Sequence, residues 1–250
     1  MSEDIRDLLL DVACRLMKEE GDGSLYRMPI MGFCDLHSPE AKKAFAEVAE
    51  WHSSPNQMLP GANSAIAIFI PFSEKIVVSN RKGKYATRDW AEAYVKTNEM
   101  AQRIGTVTAL TLVACGEKAS AIPPTGSFDR ETFSGEWSHK LMGSLCGLGK
   151  YGLNRMLITR SGCAGRLVSV VTTHKLEISL QPAEEYCAYL RDKSCTECMS
   201  ICPVGAIRAD GFDAAACFEH CSRNAENFLD LSSAMVCGKC ATVRCAFGPA

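Results

Sequence analysis

The sequence predicts a mixed α+β protein in two parts, an α/β domain over residues 1–181 and a small cysteine-rich domain over residues 182–250. Three observations lead to this prediction. The composition, 47% hydrophobic and 22% charged over 250 residues, is that of a globular chain long enough to bury a core without disulfides. Helical and strand-like apolar patterns both occur in the first part. Nine of the 14 cysteines lie in the last 64 residues, which marks a boundary near residue 181.

The first part begins with two predicted helices. Ile5, Leu9 and Leu16 recur at helical spacing behind an acidic start, and Gly21 ends the run. Ser38 caps a second helix, because the proline after it suits the first helical position.

A long helix and short buried strands follow. Residues 88–114 carry apolar side chains at helical spacing, although their threonines also alternate in strand fashion. Residues 64–70 and 166–173 are short apolar runs, which is typical of buried strands. Residues 139–146 predict a helix and residues 156–159 a strand. Both types of element therefore belong to the first part.

Charge and hydropathy exclude several classes of protein. The formal net charge of −2 gives no basic footprint for a nucleic-acid backbone. The longest strongly apolar run, residues 65–70, is far shorter than the ~20 residues that cross a bilayer. The acidic N-terminus lacks the features of a secretory signal. We therefore expect a cytoplasmic protein with no membrane partner, whose cysteines stay reduced and bind metal.

The cysteine-rich part contains two related motifs. Residues 195–203 read C-x2-C-x3-C-P, which matches the second half of the bacterial ferredoxin run. In that run the closely spaced thiolates bind one [4Fe–4S] cluster, and the cysteine before the proline binds the partner cluster. Residues 237–245 repeat the motif as C-x2-C-x4-C without a proline. The pattern predicts two [4Fe–4S] clusters.

Interleaving the two motifs divides the cysteines into two ligand sets. Interleaving assigns Cys195, Cys198 and Cys245 to one cluster, as the first set. The ferredoxin pattern would place the fourth cysteine at Asp192, so Cys187 is taken as its nearest replacement. The second set holds the other cluster and consists of Cys202, Cys217, Cys237 and Cys240. Cys221 competes with Cys217, which we favour because it follows Phe212 and Asp213 at a ferredoxin-like place.

Two alternatives to a pair of [4Fe–4S] clusters remain: a single cluster or a three-iron variant, and a zinc ribbon. In the zinc ribbon a single zinc ion is held by four thiolates, those of Cys195, Cys198, Cys237 and Cys240. This alternative leaves Cys202 and Cys245 without a role.

Residues 147–152 satisfy the G-x-G-x-x-G pattern of a dinucleotide-binding turn. That turn requires a strand before it and a helix after it. Here a predicted helix precedes the glycines and a predicted strand follows them, so we do not expect a dinucleotide site.

Four segments, in this order along the chain, resemble the epoxyqueuosine reductases and the catalytic part of the reductive dehalogenases. They are residues 58–62 (MLPGA), residues 85–90 (YATRDW), residues 147–154 (GLGKYGLN) and the C-x2-C-x3-C-P motif. The resemblance involves most of the chain. It implies a nitroreductase-like domain followed by a ferredoxin-like domain with two [4Fe–4S] clusters, and a corrinoid (cobalamin) that the clusters reduce.

The resemblance also implies a place for the corrinoid and a function. Five residues would lie along the corrinoid cavity, where glycines permit close backbone approach to a large ring: Gly147, Gly149, Lys150, Gly152 and Asn154. The implied function is an iron–sulfur oxidoreductase that passes electrons from the clusters to the corrinoid and to an unidentified small substrate. Its electrons would come from a donor protein of the ferredoxin or flavodoxin type.

Two departures from the family pattern change the expected partners. Epoxyqueuosine reductases carry an acidic proton donor where this chain has Phe133, and Asp129, Glu136 and His139 are only nearby substitutes. The catalytic residue is therefore not assigned. The sequence also has no helical extension for gripping tRNA after its last cysteine. We therefore expect that tRNA is not a partner.

A second class of function fits the same motifs. The chain would then be a ferredoxin-like electron-transfer or redox-sensing protein that binds no corrinoid. Stable binding of a corrinoid distinguishes the two hypotheses.

Overall fold

The computed structural model describes residues 2–48, 50–124, 126–231 and 234–250. The helices, in chain order, are α1 (Ser2–Glu20), α2 (Pro39–Val48), α3 (Pro55–Met58), α4 (Glu74–Ser79), α5 (Arg88–Ala114), α6 (His139–Leu145), α7 (Ala188–Asp192), α8 (Glu197–Ile201) and α9 (Ala214–Ala225). The strands are β1 (Ile30–Asp35), β2 (Ser64–Pro71), β3 (Ala119–Ile122), β4 (Phe128–Asp129), β5 (Ser134–Gly135), β6 (Gly149–Tyr151), β7 (Leu157–Thr159) and β8 (Gly165–Thr172). Short 3₁₀ segments lie at Glu226–Phe228, Lys239–Ala241 and Arg244–Ala246. This mixture confirms the predicted α+β class.

Four strands form one antiparallel sheet at the centre of the fold. The strand order is β1-β2-β8-β3, and each neighbouring pair is antiparallel. In the central pair, Ser64 lies opposite Thr172 and Pro71 lies opposite Gly165. Because every pair in this sheet is antiparallel, residues 147–152 do not lie in the parallel βαβ unit that a dinucleotide-binding turn requires.

Strand β2 is buried on both faces because helices cover the sheet from both sides. Ile66 and Ile68 pack in a hydrophobic cluster with side chains of α1 and α5. Ala65 and Phe69 point the other way and pack with side chains of α6 and β7. A strand covered on both sides needs apolar side chains at every position, which explains the continuous apolar run in the sequence.

The two longest helices occur where the periodicity predicts them. α1 ends just before Gly21, and α5 spans the whole predicted range of residues 88–114. Thr106 and Thr111 lie within this helix, and their hydroxyls donate to the backbone carbonyl oxygens four residues earlier, each at 2.9 Å. Of the helices in the described ranges, none combines the length and hydropathy of a transmembrane span.

The outer strands β1 and β3 were not predicted from the sequence. β1 contains Gly32, and a Cβ at that position would lie 2.2 Å from the carbonyl oxygen of Cys146. β3 is the short run Ala-Ser-Ala-Ile. Neither strand has the β-branched run that identifies β2 and β8. Their strand conformation depends instead on pairing with the neighbouring strands of the sheet.

The cysteine-rich part packs into the same core as the sheet. Its buried side chains, including Ile207, Phe228 and Val236, belong to one hydrophobic cluster with side chains of β2 and α5. Helix α9 begins at Asp213, whose Oδ1 accepts a hydrogen bond from the backbone N–H of Ala216 at 2.9 Å. The domain boundary at residue 181 stays a prediction.

The G-x-G-x-x-G segment forms an antiparallel hairpin of β6 and β7. A Cβ on Gly149 would lie 1.9 Å from the carbonyl oxygen of Ile158 on the partner strand. Gly147 has a φ of +73°, and a Cβ there would lie 2.6 Å from the carbonyl oxygen of Leu180. Close backbone packing therefore explains both glycines.

Replacing Gly149 by alanine should lower the free energy of unfolding by about 1–3 kcal/mol, because the methyl group overlaps the β7 backbone. Gly23→Ala is the matched control, since a Cβ there has no atom within 4 Å. We expect the control to stay within roughly 0.5 kcal/mol of the wild type. Urea denaturation measures both changes, and equal stability of the two variants would contradict this account of β6.

Candidate functional site

The first predicted ligand set surrounds one small cavity. Its four thiols line this cavity together with apolar neighbours such as Leu153, Ile158 and Val243, and they belong to Cys187, Cys195, Cys198 and Cys245. Burial raises the pKa of the Cys198 thiol to about 12. A nearby positive charge, such as that of a metal centre, would favour the thiolate form here.

The second predicted set lines a larger cavity of about 330 Å³. Cys202, Cys237 and Cys240 face this cavity, and so do both Cys217 and Cys221 of α9. Burial raises the pKa values of Cys237 and Cys240. Five thiols thus surround a space in which one [4Fe–4S] cluster needs four.

Cys217 and Cys221 lie one turn apart on α9, and their thiols interact with each other. The hydrogen bond with Cys221 lowers the pKa of Cys217 to about 7. The same hydrogen bond, together with burial, raises the pKa of Cys221. Cys217 is therefore the more readily ionised of the two, with Cys221 as the hydrogen-bond donor.

The zinc ribbon does not agree with these positions. Cys195 and Cys198 line the first cavity, whereas Cys237 and Cys240 line the second. Within the described ranges, no three or more His, Cys, Asp or Glu side chains gather closely enough to hold a single metal ion. The cysteines lie in the two groups that the interleaved motifs predict, and their binding of iron stays a prediction.

Trp90 has a buried hydrogen-bond donor beside the second cavity. Its indole Nε1 is buried and has no partner among the described residues, and the side chain lines the cavity. Gly238 lies against the indole, because a Cβ there would be 2.2 Å from the ring. Buried N–H groups without a protein partner often donate to something bound, and cluster sulfur is such an acceptor. The donor set and this free N–H both fit a [4Fe–4S] cluster.

Lys239 places a buried positive charge beside the second set. Its side chain is only 1% exposed, and Nζ donates to the carbonyl oxygens of Asn80 at 2.9 Å and Lys82 at 2.7 Å. The ammonium group therefore ties the C-terminal end of α4 to the Cys237–Cys240 segment. Its charge also opposes the negative charge of nearby thiolates.

Lys140 is a functional candidate that was not predicted from the sequence. It lines the second cavity, and its Nζ donates to the carbonyl oxygen of Arg155 at 3.0 Å. Burial lowers its pKa. No Asp or Glu is among the described residues that line this cavity, whereas Lys140, Arg155 and Arg166 give it positive charge. An ammonium group in this position can stabilise negative charge or donate a proton.

The three suggested substitutes for the acidic proton donor have other partners. Asp129 accepts hydrogen bonds from two backbone N–H groups of the next turn, which lower its pKa. Glu136 accepts hydrogen bonds from two serine hydroxyls. The His139 ring lies 2.8 Å from both the Ser169 hydroxyl and the Pro123 carbonyl oxygen, and burial lowers its pKa to about 4. His139 is therefore neutral at pH 7.

The five residues implied for the corrinoid do not converge on one cavity. Gly147 lines a separate groove beside β1. Gly149 and Lys150 form β6, and Gly152 follows in the hairpin, where a Cβ would lie 2.8 Å from Oδ1 of Asn154. Asn154 lines both cysteine cavities. Close packing of the hairpin is one reason for these glycines, and the place of the five residues along a corrinoid cavity stays a prediction.

Asn154 and Cys163 lie between the two cysteine sets. Asn154 is 4% exposed, and its Nδ2 donates to the Cys240 carbonyl oxygen at 2.9 Å and to Cys245 Sγ at 3.9 Å. The Sγ atoms of Cys163 and Cys245 are 3.6 Å apart. Their hydrogen bond lowers the pKa of Cys245.

Comparison with known proteins finds curated relatives that share part of the sequence. No family model matches the chain. Epoxyqueuosine reductases of Bacillus cereus and Bacillus anthracis are each 26% identical to it over 168 residues. The match covers 65% of this chain, and the chain spans only 40% of the length of these curated relatives.

Solved structures of an epoxyqueuosine reductase and of a reductive dehalogenase have a fold similar to that of this chain. A selenomethionine-labelled epoxyqueuosine reductase matches with a TM-score of 0.59 and 17% identity, covering 97% of this chain and 65% of that protein. A reductive dehalogenase, for which B12-dependent dehalogenation is described, matches with a TM-score of 0.54 and 14% identity, covering 75% of this chain and 26% of the dehalogenase. These matches confirm the resemblance inferred from the sequence motifs, and they do not favour the ferredoxin-like alternative.

The expectation that tRNA is not a partner is wrong. An epoxyqueuosine reductase in complex with a modified tRNA stem loop has the same fold, with a TM-score of 0.61 and 16% identity over 97% of this chain. A net charge near zero describes the whole surface and does not exclude a local binding site for nucleic acid. The charge of −2 therefore does not exclude tRNA.

Replacing Lys239 by methionine should destabilise the fold, because Met cannot donate to the buried oxygens of Asn80 and Lys82. We expect a loss of about 1–3 kcal/mol for each oxygen left without a donor. Lys42→Met on the exposed side of α2 is the control, since Lys and Met have similar helix propensities. Chemical denaturation under anaerobic conditions measures both variants. A Lys239 variant as stable as the control would contradict the structural role of this ammonium group.

Proposed function

From the confirmed resemblance to epoxyqueuosine reductases and reductive dehalogenases, we propose that the chain is an iron–sulfur reductase with two [4Fe–4S] clusters and a corrinoid. The observation that supports this most is the division of nine tail cysteines between two cavities. The activity and substrate of the relatives belong to those proteins, and the substrate of this chain is proposed separately.

The proposed ligands of the first cluster are Cys187, Cys195, Cys198 and Cys245, and those of the second are Cys202, Cys217, Cys237 and Cys240. Bound clusters supply single electrons at low potential. The protein holds the thiols in place through short helices and 3₁₀ turns, and it excludes water from the first cavity with apolar side chains. Trp90 and Lys239 support the second cluster with a free N–H and a positive charge.

The corrinoid is proposed for the open side of the second cavity. A cavity of about 330 Å³ lies at the lower end of the range for small-ligand sites, so it cannot enclose a corrinoid completely. Tyr94, Lys140, Arg155 and Arg166 are the residues there that would contact it. When bound, a corrinoid supplies a strongly reducing metal centre. Lys140 and the two arginines would hold negatively charged groups of the cofactor or substrate.

The substrate is proposed to be a small electrophilic molecule or a modified base that reaches this cavity. Positive charge around the cavity favours a substrate that carries negative charge. Because a matched reductase binds a tRNA stem loop, the search for the substrate includes tRNA as well as free small molecules.

Metal analysis tests the proposal directly. Protein purified without oxygen from cells supplied with cobalamin should contain about eight irons per chain, the content of two [4Fe–4S] clusters, together with cobalt. Iron, cobalt and zinc contents and the ultraviolet–visible spectrum give the answer. Zinc without iron would overturn the cluster assignment. Iron without cobalt, even after direct addition of cobalamin, would overturn the proposal that the chain binds a corrinoid. It would favour the hypothesis of an electron-transfer protein.

A ligand variant locates one of the clusters. Cys198→Ala should lose about half of the iron, because the second cavity keeps all its thiols. Cys146→Ala is the control: this thiol is also fully buried, but it donates to the Ala65 carbonyl oxygen at 3.4 Å, away from both cavities. Full iron content in the Cys198 variant would exclude it as a ligand.

The two cysteines of α9 form a matched pair for the second cluster. Cys217→Ala should lose this cluster, because the ionisable thiol is removed and Cys221 is left without its acceptor. Cys221→Ala should keep the iron, with a changed absorption spectrum because Cys217 loses a hydrogen-bond donor. Iron content and spectra of both variants decide the assignment. The reverse pattern would make Cys221 the ligand.

A further inference from the structure

We propose that Asn154 and Cys163 are positioning residues that donate hydrogen bonds to Cys245 and link the two cluster sites. This inference rests on the proposed function, because it takes Cys245 as a ligand of the first cluster. Neither residue belongs to a cysteine motif, and both lie in the first part of the chain, before residue 182.

Hydrogen bonds hold the Asn154 side-chain amide in one orientation between the two cysteine sets. Its Oδ1 accepts a hydrogen bond from the backbone N–H of Met156 at 3.1 Å, which sets the orientation of the amide group. The Nδ2 side then points at the Cys240 carbonyl oxygen and at two sulfur atoms, Cys245 Sγ and Cys163 Sγ, which are both 3.9 Å away. Cys240 belongs to the second set and Cys245 to the first. One buried amide therefore contacts the ligand segments of both clusters.

Cys163 is held beside the same sulfur by its backbone. The N–H of Cys163 donates to the carbonyl oxygen of Cys245 at 3.0 Å, while the two Sγ atoms are 3.6 Å apart. A Cys245 thiolate on iron carries no proton, so the hydrogen between the two sulfurs must belong to Cys163. The Ala241 carbonyl oxygen, 3.9 Å from Cys163 Sγ, is the other acceptor within reach.

Two hydrogen-bond donors at the Cys245 sulfur should change the reduction potential of the first cluster. Hydrogen bonds to cluster sulfur stabilise the reduced cluster, which carries more negative charge, and raise its reduction potential. The proposal therefore predicts that the first cluster depends on Asn154 and Cys163 for its potential while its iron stays bound. The second cluster has no hydrogen bond from Cys163 to a ligand sulfur and should keep its potential in a Cys163 variant.

The test compares variants that remove the donor with one that keeps it. Cys163→Ala and Asn154→Leu remove donors, whereas Cys163→Ser retains an O–H and Cys146→Ala removes an equally buried thiol elsewhere. Midpoint potentials of both clusters are measured on the full chain with bound clusters, by redox titration followed by electron paramagnetic resonance. The signal that Cys198→Ala abolishes identifies the first cluster.

We expect a lower potential of the first cluster in Cys163→Ala and Asn154→Leu, and values near the wild type in Cys163→Ser and Cys146→Ala. If Asn154→Leu does not fold, the Cys163 variants decide alone. An unchanged potential at full iron content would overturn the inference. Loss of iron in Cys163→Ala would also overturn it, by making Cys163 a ligand. Absence of clusters from the wild type would instead overturn the proposed function.

Discussion

The proposed site depends on one constraint: the cysteine-rich part, residues 182–250, is buried against residues 1–181. Three contacts hold it there: Gly238 lies on the Trp90 indole, Lys239 donates to the carbonyl oxygen of Asn80, and the backbone of Cys163 pairs with that of Cys245. The segment itself has only short helices and 3₁₀ turns, which are marginal without such support. Both cavities therefore take their shape from residues far apart in the sequence.

The elements with strong internal patterns were predictable from the sequence, and those that depend on partners were not. β2 and α5 carry their own periodicity, so their positions were predicted almost to the residue. β1 and β3 owe their strand conformation to pairing at the two outer positions of the sheet. Ferredoxin spacing grouped six of the cysteines, whereas Cys187 and Cys217 were added as the nearest candidates for the two remaining places. The positions of Lys140, Trp90 and Asn154 were not predictable, because nothing local in the sequence relates a lysine or an amide to a cavity formed by distant segments.

The two cavities differ in their electrostatic surroundings. The first is bordered mainly by apolar side chains, and the second by Lys140 and Arg166, with the buried ammonium of Lys239 close by. Positive charge favours the reduced state of a cluster, whereas an apolar surrounding does not compensate its charge. Two clusters bound here would therefore have different potentials although their ligands are all thiolates. Direct hydrogen bonds to the Cys245 sulfur act on the first cluster only.

The order of the ligands along the chain sets the order of events during synthesis. Strand β8 ends at Thr172, so all four strands of the sheet have been made before any of the proposed cluster ligands leaves the ribosome. Cys187, Cys195 and Cys198 then emerge, but their set remains incomplete until Cys245 has been made. Iron delivered earlier would meet three thiols and an open cavity. In the proposed assignment, the first cluster would therefore have its full ligand set only after Cys245 has been made, next to Cys163 and Asn154.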